Sequence, residues 1–179
     1  ALIKKVQGAG TFITDICRDT KGHLEEFGMP LYNCCNEKID RMELEFRLEV
    51  PNSYITDVLK RKSPVVVSVD RWYFGGDRLI AYTFTTIPIE TISEENIDLN
   101  DKLQLETFVE TGIYEKGRRS TLELLQNAKG VEIVREKMPK GAHITLLLEN
   151  IYGEDNFPLL CNKHYFVTES SSFVFNVYK

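Results

Sequence analysis

A chain of 179 residues with 42% hydrophobic and 27% charged residues can bury a core of its own, as one domain or as a domain with an appendage. The net charge of −5 excludes a phosphate-tracking surface over the body of the chain, because such a surface needs concentrated Lys and Arg. No apolar run approaches the ~20 residues of a membrane span and no signal-peptide pattern opens the sequence, so a cytoplasmic protein with no membrane partner is expected. The four cysteines, at 17, 34, 35 and 161, form no CxxC pair, and the histidines at 23, 143 and 164 add no ligand spacing. Packing thiols are expected, with no metal site and no cofactor.

The predicted elements run as follows. Two short strands, 2–6 and 11–14, flank Gln7-Gly8-Ala9-Gly10, where the glycines Gly8 and Gly10 permit a tight turn. Lys4 and Lys5 sit on the first strand, and no acid precedes Asp15. Two strands bury too little to fold alone. The hairpin is therefore expected to be the severed edge of a preceding domain, with an ordinary exposed hairpin as the alternative. Residues 15–30 read as a linker, partly helical around Leu24, Glu25, Glu26 and Phe27 and stopped by Gly28 and Pro30. Met42, Leu44, Phe46 and Leu48 alternate with charged residues, which marks a half-buried strand. Asn52 or Ser53 caps a helix carrying Tyr54, Ile55, Val58 and Leu59 on one face.

Strands are predicted at 65–73 and 79–87 around the turn Phe74-Gly75-Gly76-Asp77, and again at 144–152 and 159–166 around Gly153-Glu154-Asp155-Asn156. The two hairpins align without a gap at an offset of 79, matching Val67 with Leu146, Asp70 with Glu149 and Tyr73 with Tyr152. Such a repeat implies two similar halves in one antiparallel sheet. Between them, 103–109 reads as helix or strand. Ser120-Thr121-Leu122-Glu123 has the form of a capping box opening a helix that runs through Leu125 and Ala128 to Gly130. Strands are predicted at 131–134 and 172–178. The sum is an α+β fold, an antiparallel sheet of about six strands with a few short helices.

The run ALIKKVQGAGTFIT (1–14) resembles the wing that ends the winged helix-turn-helix of GntR-type bacterial transcription regulators. SYITDVLKRKSPVVVSVDRWYFGGDRLIAYTFTTIP (53–88), STLELLQNAKGV (120–131) and IYGEDNFPLLCNKHYF (151–166) resemble, in order, motifs of the effector-binding UTRA domain in the HutC subfamily of those regulators. The resemblance implies a chorismate-lyase-like fold. It implies a wing remnant over 1–15, a linker over 16–30 and an effector-binding domain over 31–179. It further implies a homodimer that binds a small effector (a phosphosugar, a carboxylate or a similar anion) and touches DNA only through a winged helix preceding the chain. A chorismate pyruvate-lyase-like enzyme on the same fold is the alternative.

The resemblance implies effector contacts at Arg71, Tyr73, Thr83, Ser120 and Tyr165, and a DNA-binding wing remnant at Lys4, Lys5, Gly8 and Gly10. Tyr73 and Thr83 stand where the family often has Arg and Glu. Arg71 shares strand parity with Val67, Val69 and Tyr73, a face expected to turn inward. A buried guanidinium requires a partner. An anionic effector would supply one, and so would an acid of the chain. Ser120 is expected to cap its helix or to hold an anion there. Tyr165 would touch a sugar or ring, or pack against its neighbours. His164 is read as a surface or satisfied core residue.

Overall fold

The computed structural model describes residues 2–6, 10–14, 23–126 and 141–175, with backbone alone for 2–6, 10–14 and 126. The described residues form eight strands, β1 (Leu2–Val6), β2 (Gly10–Thr14), β3 (Arg41–Glu49), β4 (Val66–Gly75), β5 (Arg78–Pro88), β6 (Arg119–Gln126), β7 (Ile144–Tyr152) and β8 (Pro158–Val167). They form one antiparallel sheet in the order β1-β2-β3-β4-β5-β8-β7-β6. Strands β3 to β8 make the expected six-stranded body. The hairpin β1–β2 extends it through the single pair Thr11 and Met42.

The helices are short: α1 (Pro30–Cys34), α2 (Ser53–Leu59), α3 (Ile89–Glu94), α4 (Lys102–Thr107) and α5 (Ile113–Lys116). A π-helical turn, Phe108–Gly112, joins α4 to α5. No described helix is long and apolar enough to cross a membrane.

The sheet has two faces. Leu44, Val67, Val69, Tyr73, Leu147, Ile151 and Phe166 point to the inner one, where α1 and the α4–α5 segment cover them through Leu31, Leu105, Val109 and Ile113. The other face carries Trp72, Tyr82, Leu146 and Tyr165, with α2 packed beside them through Leu59 against Val66 and Cys161. Burying both faces explains why β4 reads as a nearly continuous apolar run while β3, near the sheet edge, alternates. The buried thiols of Cys34, Cys35 and Cys161 are free, and burial pushes each up to about 12.

The Asn52 side chain accepts a 2.9 Å bond from the Ile55 amide and so caps α2 as expected. Asn52→Ala should cost about 1 kcal/mol in a urea titration. The helix lies on the face opposite the cleft described below, so ligand binding should not change.

Three expectations are corrected. Pro30 opens a helix instead of ending one, since its missing N–H would be unpaired at that position anyway; residues 24–28 are non-helical. Ser120 does not cap a helix. It lies in β6, which pairs with β7 from Arg119–Tyr152 to Gln126–Thr145. A capping box is worth roughly 1 kcal/mol, less than a full ladder that satisfies the backbone of β7. The rest of the helix predicted to Gly130 and the strand at 131–134 lie outside the described residues. At the C-terminus, Thr168–Ser170 forms a short 3-10 turn and only isolated bridges follow, Ser171 to Cys35 and Val174 to His23. Residues 176–178 of the strand expected there are outside the described residues.

The two repeated hairpins do lie side by side, joined by β5 and β8. Their first strands are out of phase, however. Val67 faces inward and Leu146 outward, so the residue in step with Arg71 is Glu149, not Asn150.

Candidate functional site

A cleft of about 360 Å³ opens on the inner side of the sheet, between residues 24–28, the start of α1, and strands β6 and β7. Alternation along β6 turns Ser120 and Leu122 into it and leaves Thr121 and Glu123 exposed. Phe27 packs edge-on against Tyr114 at 5.7 Å. Its position depends on Gly117: a Cβ there would lie 2.6 Å from Phe27 and 2.7 Å from Ile151. The Asn33 side chain donates to the His23 carbonyl at 3.2 Å and ties residues 23–28 to α1. Glu149 of β7, 1% exposed, reaches the cleft from the sheet.

Behind Glu149 runs a buried polar network. Its Oε2 accepts from Tyr114 Oη (2.8 Å) and Asn162 Nδ2 (2.8 Å) and meets His164 Nε2 at 3.0 Å. His164 Nδ1 lies 2.9 Å from Thr83 Oγ1. Asn162 Oδ1 accepts from Thr85 Oγ1 (2.6 Å) and Arg71 Nη2 (3.2 Å). Arg71 Nη1 in turn donates to the Val109 carbonyl (3.1 Å) and to Glu110 Oε1 (2.5 Å). The Glu110 carboxylate also accepts from Tyr73 (2.6 Å) and from Tyr32 of α1 (2.5 Å). The chain of bonds thus returns to the helix that walls the cleft.

Arg71 is fully buried. Burial alone would lower its affinity for the proton, but Tyr73 and Glu110 beside it hold the guanidinium above its ordinary range. Tyr73 is raised, chiefly by burial. Burial likewise lowers His164, against the opposing pull of Glu149.

The pH consequence has a definite sign. The unfolded state binds the His164 proton more readily, so the neutral imidazole contributes fully above about pH 6.5, and stability is lost as pH falls below that value. Glu149, Glu110 and Arg71 are the charged groups acting on it. His164→Gln should flatten the pH 7 to 5.5 segment of a stability profile measured by chemical denaturation.

Of the residues predicted from sequence, Arg71, Tyr73 and Thr83 share this inner network, and Ser120 lines the cleft beside it. Tyr165 does not join them. It stacks on Tyr82 at 5.6 Å on the opposite face. His164 is a satisfied core residue, one of the two alternatives expected. Lys4, Lys5 and Gly10 lie in the β1–β2 hairpin, while Gly8 is outside the described residues. Sequence reasoning missed Glu110, Glu149, Asn162 and Tyr32. The available signal was a single acid inside an apolar run, in TFVETGI (107–113) and in ITLLLENIY (144–152).

No family model matches the chain, and no curated protein matches it in sequence. Solved structures do match in fold. The "possible transcriptional regulator YydK" of Bacillus subtilis aligns over 98% of this chain and 76% of its own, with a TM-score of 0.66 and 16% identity. The effector-binding domain of the Bacillus subtilis trehalose repressor aligns over 77% of this chain and 97% of its own, with a TM-score of 0.61 and 12% identity. The C-terminal domain of the histidine utilization repressor of Pseudomonas syringae aligns over 78% and 100%, with a TM-score of 0.61 and 11% identity. A putative GntR-family regulator's ligand-binding domain from Bordetella bronchiseptica aligns over 80% and 97%, with a TM-score of 0.60 and 16% identity. The chain has the fold of the C-terminal effector-binding domains of GntR-family transcription regulators.

Proposed function

We propose that this chain is the sensing portion of a bacterial, cytoplasmic GntR-type regulator of the HutC kind, and that it does no chemistry. The observation that carries this is the cleft over Glu149, built on a fold shared with the effector-binding domain of the trehalose repressor and the ligand-binding domain of a putative GntR-family regulator. In this proposal Ser120 contacts the effector. Arg71, Tyr73 and Thr83 hold the network behind Glu149, and residues 31–179 form the sensing domain after a linker at 16–30. Residues 1–15, with Lys4, Lys5, Gly8 and Gly10, are the last part of a DNA-reading wing. In support, the isolated domains match 77–78% of the chain while the YydK structure matches 98%, a difference that an N-terminal hairpin and linker would account for.

Binding is coupled to DNA by linkage: the effector favours one arrangement of a dimer, and that arrangement sets the distance between two DNA heads. The distance matters because half-sites lie one helical turn, about 34 Å, apart. The inner network suits the task, since bonds run from the cleft wall through Tyr32, Glu110, Arg71 and Asn162 back to Glu149. Of the two partners expected for Arg71, an effector anion and an acid of the chain, the acid is the one present. The charge of Arg71 is already matched by Glu110, which also removes it as a grip for the carboxylates of chorismate.

The test uses the chain as given. It should gain thermal stability with rising effector concentration, and it should fail to retard operator DNA. Pyruvate release from chorismate, or specific retardation of DNA by this chain, would overturn the proposal.

A further inference from the structure

The charge carried by the effector can be read from what already surrounds the cleft. Arg71 and Glu110 neutralise one another, both buried, with the guanidinium also bonded to Thr85, Asn162 and a carbonyl. Among the described residues Glu149 meets no lysine or arginine, and its basic neighbour is His164. Its described neighbours are two neutral donors and His164, which burial disfavours as a cation. All three contacts fall on Oε2, and no described residue donates to Oε1. No lysine or arginine lines the cleft among the described residues, and Glu25 and Glu26 stand at its lip. A carboxylate this little exposed, with one engaged oxygen and no lysine or arginine beside it among the described residues, is costly, and a ligand cation in the adjoining cavity would meet its open oxygen. An anion placed there would meet the same carboxylate across a low-dielectric gap.

The walls define the rest of the ligand. Leu24, Phe27, Pro30 and Leu122 offer apolar contact, while Asn33 and Ser120 offer one or two hydrogen bonds. The volume, about 360 Å³, is at the small end of ligand pockets.

Resting on the effector-domain proposal above, we infer that the effector is a small organic cation, a primary amine or amidinium on an apolar or aromatic body, with its charged end seated on Glu149 and its body between Phe27 and Leu122. This departs from the anion that the family resemblance implies.

Isothermal titration of the chain with tyramine, histamine, agmatine and putrescine tests it. The controls are 3-(4-hydroxyphenyl)propionate, which exchanges ammonium for carboxylate on the same ring, and glucose 6-phosphate. At least one of the amines should bind below millimolar concentration, and the carboxylate should bind at least about tenfold more weakly than tyramine. Glu149→Gln should weaken the binding amine about tenfold or more. Should that variant unfold, Ser120→Lys, which places a cation on the cleft wall without entering the buried network, should weaken it by a similar factor. If none of the four amines binds, or if both variants leave amine affinity unchanged, the cation proposal is overturned. If a control anion binds instead and Leu122→Trp abolishes that binding, the cation proposal is again overturned while the sensing function stands. If Leu122→Trp alters binding of nothing in either group, both proposals fall together.

Discussion

Glu110→Ala should destabilise the chain by about 3–5 kcal/mol, the largest effect expected of any single change discussed here. The substitution leaves Arg71, fully buried, without its counter-charge, and it strips the acceptor from Tyr73 and Tyr32. For a chain of this size the shift in Tm should be about 6–20 °C. A paired variant sharpens the result. Arg71→Met with Glu110→Leu removes both charges together, and replacing a buried pair by apolar groups is often near neutral. Recovery should be partial, because two tyrosine hydroxyls and the side chains of Thr85 and Asn162 still lose partners. Urea denaturation of the two variants checks this. A cost below about 1 kcal/mol for Glu110→Ala would mean that the pair behaves as an exposed ion pair and does not organise the inner face.

Gly117→Ala should cost about 2 kcal/mol and weaken whatever binds in the cleft. The backbone there does not demand glycine, for φ is −62° and ψ is 147°. The cost is steric. An added methyl would lie 2.6 Å from the Phe27 ring and 2.7 Å from Ile151. Ile151 is fully buried and cannot yield. Phe27, 40% exposed, is the group that must move, and it walls the cleft. Overpacking and loss of the wall therefore come together. Denaturation reads the first effect and titration with a bound effector the second. Unchanged stability together with unchanged affinity would contradict this placement of Phe27.

Much of the sheet was legible in the sequence because two-residue alternation and glycine turns act locally. The strand 144–152 was predicted with the bounds that β7 has, and parity alone turned Arg71 inward. What satisfies Arg71 was not legible. Glu110 lies 39 residues downstream, on a turn whose inward phase depends on the π-helical widening at Phe108–Gly112, and an added residue per turn rotates every later side chain. Glu149 was paired with Asp70 by the gapless alignment, yet Asp70 bonds Tyr82 on the outer face. One step of phase moves a strand residue to the other side. The cleft escaped notice for a related reason. It needs residues 24–28 to stay non-helical and β6 to be a strand, whereas local rules favoured a helix in both places. In each case a long-range requirement, packing of Phe27 on Tyr114 or a ladder partner for β7, outweighed a local preference of about 1 kcal/mol.

The most direct test compares the unmodified chain with Leu122→Trp, which fills the cleft from β6, in a thermal-shift screen of small metabolites. At least one compound should raise the Tm of the unmodified chain in a concentration-dependent way and leave Leu122→Trp unmoved. Compounds that stabilise both proteins equally would place binding elsewhere and contradict a sensor built over Glu149.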